Sequence, residues 1–169
     1  MFQQAVHAYQ QGRVAEAKAV ELNPDHADAC LLLGVIAAQD HCRLKEACDL
    51  FDKALQINPA HAAAQYNRGN TLRGLQYHEE ALAAYRRAIS LKPDYAEAHA
   101  NCGVSLMEIG LLDEALSSFD TAIRLAPALA EAHHMRGNLL LLQGNYREGW
   151  REYEWRWKDN GFQSHTQAF

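Results

Sequence analysis

The sequence predicts an all-α array of antiparallel helix pairs, and three observations carry that prediction. Prolines stand at 24, 59, 93 and 127, spaced 35, 34 and 34 residues apart. Glycines at 34, 69, 103 and 137 recur in register with them, each closing an Ala-rich stretch: "DHADACLLLG", "AHAAAQYNRG", "DYAEAHANCG", "ALAEAHHMRG". Alanine and leucine dominate and only four prolines occur in 169 residues, a balance that favours helix over sheet. A fixed period of about 20–50 residues is the signature of stacked units, each one supersecondary element.

Taken in order, the units begin with a partial one at 1–26. There Gly12 and Ala17 fit an inter-helix turn and the start of a second helix, but Pro24 arrives five residues too early and "AEAKAVELNP" has no aromatic. A shortened, weakly packed or frayed first repeat is expected. The unit 27–61 has one residue inserted within "AAQDHCRLKEA" and lacks a turn glycine, so a looser turn is expected from Asp40 to Arg43. In 62–95 apolar and small residues recur at helical spacing from Ala62 to about Leu75, and a second helix runs from His78 to Leu91. Pro93 cannot extend it. The unit 96–129 repeats that layout, an aromatic-rich unit spans 130–157, and 158–169 is a tail or a truncated linker.

The second helices share a further pattern. Ala47, Ala81 and Ala115 follow the glycines by 13, 12 and 12 residues; Phe51, Tyr85 and Phe119 come four later, and Ala54, Ala88 and Ala122 three beyond those. Small residues let two helices approach closely, where a bulky one would cost about 1–3 kcal/mol by overpacking. The aromatic fills the space they leave. No pair can bury its apolar face alone, so neighbours must stack into a superhelical array.

Small residues at repeat positions 8, 20 and 27, an aromatic at 24 and a proline at 32 make the chain resemble the tetratricopeptide repeat family over residues 1 to 157. The resemblance implies a right-handed superhelical α-solenoid and a non-catalytic scaffold for protein–protein interaction.

The last unit is rewritten. Gly137 and Gly144 keep register, but Gly149 replaces alanine at position 20 and Arg156 occupies position 27. Tyr146, Trp150, Tyr153 and Trp157 form one helical stripe, able to cover the preceding helix near Leu139, Leu140 and Leu142 and close the open end of the array. On a continuous helix Trp155 lies about 140° around from Trp150. It is therefore the residue expected to point outward. Trp150, Tyr153, Trp155 and Trp157 are read as a C-terminal cap or a docking face. The run "GNYREGWREYEWRW" also resembles bacterial tetratricopeptide proteins that continue into a glycosyltransferase-like domain, in the manner of protein O-GlcNAc transferase. As the alternative to the scaffold reading, that resemblance implies an N-terminal substrate-recognition arm of a larger protein, with "KDNGFQSHTQAF" as a linker cut short.

First helices line the concave wall of such an array, with positions 2, 5, 6, 9 and 12 toward the groove. The candidate peptide-binding residues are Tyr66, Asn67, Asn70, Arg73, Asn101, His134 and Asn138. Asparagine both donates and accepts, so a ladder of amides can grip the backbone of an extended peptide. It resembles the asparagine-lined array of protein O-GlcNAc transferase. Some family members hold a chaperone's C-terminal carboxylate with a Lys or Arg clamp; here those positions carry Leu31, Val35, Asn101, Glu131 and Met135, which argues against it. His99 and His133 share repeat position 4 and read as satisfied, partly buried histidines before they read as metal ligands.

Charge and motif bound the rest. Sixteen Lys and Arg against 21 Asp and Glu give a net charge of -5, with no surplus to neutralise a phosphate backbone. RNA binding by related helical pairs is disfavoured on that ground. No apolar run reaches the roughly 18 residues of a membrane span. The start carries no secretory pattern, so the chain is expected to be cytoplasmic. Cys30, Cys42, Cys48 and Cys102 lack CxxC spacing and read as reduced thiols. No phosphate loop, metal motif or converging acid and base is legible, so neither catalysis nor a cofactor is expected. Self-association through the terminal repeats is the remaining partner class.

Overall fold

The computed structural model describes residues 26–159, and the short first repeat and the C-terminal tail expected from the sequence lie outside that range. The described elements are all helical: α1 (Ala27–Ala38), a 3-10 turn (His41–Arg43), α2 (Leu44–Ile57), α3 (Ala62–Gly74), α4 (His78–Leu91), α5 (Ala96–Glu108), α6 (Leu112–Leu125), α7 (Ala130–Leu142), α8 (Tyr146–Tyr153) and α9 (Arg156–Asp159). They form paired antiparallel helices of a solenoid. The described residues divide into two compact units, one ending at Leu91 and the other beginning at Lys92.

In the first unit α1 pairs with α2 and α3 with α4, and α2 packs on α3. The pairing is close because glycine meets aromatic. A Cβ added at Gly34 would sit 2.5 Å from the Phe51 ring, and one at Gly69 would sit 2.6 Å from the Tyr85 ring. Phe51, Tyr85, Ala47, Ala54, Ala81 and Ala88 are all fully buried. Ala37, Ala47 and Phe51 make one cluster; Cys30, Ala54 and Ala64 join the two repeats. In the second unit α5 pairs with α6 and α7 with α8. Gly103 meets Phe119 at 2.7 Å by the same measure, and Ala100, Ala122 and Ala132 lock the α5–α6 pair to α7.

The turns within each pair follow one design with one exception. After α5 and α7 the chain passes through Gly110 (φ +83°) and Gly144 (φ +82°), left-handed residues that glycine adopts without penalty. The backbone bonds Leu111 N to Leu106 O (2.9 Å) and Asn145 N to Leu140 O (2.8 Å) satisfy the last helical carbonyls. After α3 the same geometry is forced on Gln76 (φ +66°), with Tyr77 N donating to Leu72 O at 2.9 Å. Gln76→Gly should therefore raise the denaturation midpoint by an amount worth about 0.5–1 kcal/mol. A midpoint that falls would show the Gln76 side chain to be stabilising.

The exception corrects an expectation. The turn after α1 is not loose: the inserted residue is taken up in the 3-10 turn, where Asp40 Oδ1 accepts from Cys42 N at 2.9 Å. Arg43 then clamps Glu46 with two bonds of 2.8 and 2.7 Å. A side-chain cap replaces the missing glycine.

The second correction concerns the last helix. The expected continuous stripe through Trp157 is interrupted, because α8 stops at Tyr153 and the backbone tightens through Trp155 N to Glu152 O (3.1 Å) and Trp157 N to Glu154 O (3.2 Å). Arg156 explains the break. Ala54, Ala88 and Ala122 fill this repeat position at zero exposure, and a guanidinium there would be buried without water. It emerges instead over the rings of Tyr153 (4.1 Å) and Trp157 (4.4 Å).

Candidate functional site

The groove candidates fall on the first helices of both units, and the structure ties most of their polar atoms inward. On α3 the Asn67 amide donates to its own Ala63 carbonyl at 2.8 Å, and Asn70 Oδ1 accepts from the Tyr85 hydroxyl at 2.8 Å. Tyr66 and Arg73 are half-buried on the same helix, and the Tyr66 ring tilts on Tyr85 with centroids 6.1 Å apart. On α5 Asn101 is only 5% exposed, contrary to the expectation that it faces the groove. Ala100 beside it is in the core. On α7 Asn138 approaches His134 Nε2 at 3.3 Å, and His134 in turn meets the Tyr153 ring at 5.1 Å. The amides are structural braces before they are a ladder.

The aromatic end is arranged differently from the stripe that the spacing suggested. Tyr146 (65%), Trp150 (57%) and Trp157 (51%) are exposed, as is Leu142, so they do not blanket α7. Trp155, expected to point outward, is stacked face to face on His133 with centroids 3.9 Å apart and planes 7° from parallel. Trp150 meets Tyr153 edge-on at 5.7 Å. The reversal follows from the break after Tyr153, which turns Trp155 back toward α7.

His99 and His133 repeat one contact: each Nε2 lies 3.0 Å from the carbonyl of the proline six residues earlier, Pro93 and Pro127. These histidines close the turn that leads into their helix. His133 adds a second bond, Nδ1 to Glu152 Oε2 at 2.5 Å. Among the described residues no group of three or more His, Cys, Asp and Glu could hold a metal ion, and no disulfide joins the cysteines. Burial pushes the Cys48 thiol above its usual range.

Sequence reasoning missed the ion pairs that link successive repeats. Arg68 Nε donates to Asp52 Oδ1 at 2.5 Å, and Arg136 Nε donates to Asp120 Oδ1 at 2.6 Å. Arg136 Nη1 also donates to Glu148 Oε1 at 2.9 Å. Burial opposes the Arg136 charge, but the bonds to Asp120 and Glu148 outweigh it and hold the guanidinium above its ordinary value. The same bond holds Glu148 below the usual carboxylate range. The signal was present: both Asp–Arg pairs are 16 residues apart and recur at a distance of two repeats.

No helix among the described residues is long and apolar enough to cross a membrane. No curated protein matches the chain. Several solved structures share its fold. A crystal structure of MamA has TM-score 0.76 at 20% identity, covering 94% of this chain and 92% of that one. MamA 41-end from Desulfovibrio magneticus RS-1 has TM-score 0.76 at 16% identity, with coverage of 98% and 93%. Pseudomonas aeruginosa PilF has TM-score 0.78 at 24% identity, covering 90% of this chain and 72% of that one. The family description "Tetratricopeptide repeat" matches residues 2–62 and 103–154, more than half of the sequence, and "TPR repeat" matches 70–110. With glycine facing an aromatic ring in three successive helix pairs and the family model matching more than half of the sequence, the chain belongs to the tetratricopeptide repeat family.

Proposed function

We propose that this chain is a scaffold that binds a peptide or protein segment along the faces of its first helices. The observation that carries the reading is the division of labour on α3. Its small face, Ala64 and Gly69, is spent on packing, while Tyr66, Asn67, Asn70 and Arg73 form a half-exposed strip beside it, held in place by the contacts of Tyr66 and Asn70 with Tyr85. A tyrosine flanked by amides and a guanidinium offers the rigid aromatic anchor and the directional polar groups on which peptide interfaces concentrate their energy. A cytoplasmic location is part of the proposal, since an exposed thiol such as Cys42 suits a reducing compartment.

The test uses a peptide selected from a random display library on the whole chain. Tyr66→Ala should weaken its binding about 30-fold, the loss of a central aromatic anchor worth about 2 kcal/mol. Asn67→Ala and Asn70→Ala are poorer probes, since Asn70 braces the helix pair through Tyr85 and the Asn67 amide bonds its own helix. Unchanged affinity in Tyr66→Ala, with helicity intact, would exclude this strip as the binding face.

The alternative of a recognition arm for a glycosyltransferase-like protein is supported by the run from Gly144 to Trp157 alone. Its check is nucleotide-sugar binding by the product of the complete reading frame. Self-association through the exposed Trp150 and Trp157 would appear as a mass that rises with concentration in sedimentation.

A further inference from the structure

The bond pattern around His133 holds more than a packing histidine needs. Its side chain is 11% exposed and that of Glu152 is 12% exposed. Both ring nitrogens face acceptors: Nε2 the Pro127 carbonyl at 3.0 Å, and Nδ1 the Glu152 carboxyl at 2.5 Å. A neutral imidazole has one N–H and one lone pair. A carbonyl cannot donate, so Nε2 must carry a hydrogen. The contact between Nδ1 and Oε2 then needs a proton of its own, held by the ring as imidazolium or by the carboxyl as acid. Remove it, and two lone pairs face each other across a short, largely dry contact.

We propose that His133 and Glu152 form a proton-held clasp that fastens the end of α8 to α7 and keeps Trp155 folded against the imidazole. Deprotonation sends the proton to solvent and leaves a neutral ring beside a carboxylate. Glu152 then keeps its cationic neighbours, Arg136 Nη1 at 3.8 Å and Arg151 Nη2 at 3.7 Å, and lets go of the ring. Those two guanidiniums draw on the carboxylate from the other side. Glu148 and Asp120, both bound to Arg136, temper that cationic pull from α8 and α6. Pro127 and Trp155 bring no charge. The closed end binds one proton more than the open end, so raising the pH favours opening. Opening adds the Trp155 indole to the aromatic face that Trp150 and Trp157 already expose. Acidity thereby sets how much aromatic surface this end of the chain presents.

His99 is the internal control. It makes the same bond to its proline, Pro93, at 3.0 Å, meets no carboxylate among the described residues, and lies nearer the surface.

The experiment follows Trp155 alone. Trp150 and Trp157 are exposed, and replacing both with phenylalanine leaves Trp155 as the single tryptophan of the chain. Its emission should shift to the red in one step as the pH is raised. In Glu152→Gln the carboxamide donates to a neutral Nδ1 and needs no extra proton, so the shift should vanish while helicity is kept. In His133→Gln no ring remains to titrate, and emission should again be independent of pH. A flat profile in the parent overturns the clasp. So does a shift that persists in both variants.

Discussion

Phe119→Ala is expected to lower the unfolding free energy by about 3–5 kcal/mol, the range for emptying a fully buried aromatic site. The ring has zero exposure and faces Gly103 across the pair, with Ala115 and Ala122 about one turn away on its own helix. Small neighbours cannot swing in to fill the void. Only the backbones of α5 and α6 can close it, at the cost of their packing on α7 through Ala100, Ala122 and Ala132. Marginal stability of about 5–15 kcal/mol makes such a loss a large fraction of the whole. Denaturant titration of the whole chain, with m held constant, measures it. Phe119→Leu should recover more than half, and a loss below about 1 kcal/mol for Phe119→Ala would show that the glycine–aromatic contact does not anchor the pair.

That contact was legible because it obeys a period. Gly34, Gly69 and Gly103 stand where the spacing places them, and each meets the aromatic ring that the same spacing assigns to it. The helix from His78 to Leu91 also has the bounds that its pattern implies. The site was less legible because position on a helix says where a side chain starts, not which atom it bonds. Asn67 and Asn101 both stand at position 6, yet one amide turns back to its own Ala63 carbonyl and the other is buried. Position alone could not separate them. The aromatic end misled for another reason: assigning Trp155 an outward direction assumed a helix continuous through it. Arg156 in an alanine slot was the sign that the helix could not continue, and its consequence for Trp155 runs through a backbone turn that no wheel represents. The inter-repeat pairs Asp52–Arg68 and Asp120–Arg136 were legible at a period of two repeats, which a search for single-repeat regularity passes over.

Gly137→Ala should cost about 3 kcal/mol, the upper end of overpacking, and more than Gly103→Ala although both glycines hold the same repeat position. At Gly103 an added methyl would meet the ring of Phe119 at 2.7 Å, and a ring can tilt. At Gly137 it would meet Tyr153 N at 2.5 Å and Tyr153 Cα at 2.8 Å. Backbone cannot yield unless the helix carrying it moves. In this last pair the aromatic has left the slot for His134, and α8 itself has closed into the space, helped by Gly149, where a Cβ would lie 2.8 Å from Leu141. Two glycines on facing helices therefore permit an approach closer than the glycine–ring design of the earlier pairs. Lifting α8 off Gly137 would also part Glu152 from His133 and Glu148 from Arg136, so the loss should fall on this end of the chain. All three tryptophans lie between 150 and 157, and their emission reports that end directly. Gly137→Ala should shift it to the red at denaturant concentrations where Gly103→Ala still matches the parent. Equal destabilisation by the two substitutions, with matching emission, would mean that α8 packs on α7 as the earlier second helices pack on theirs.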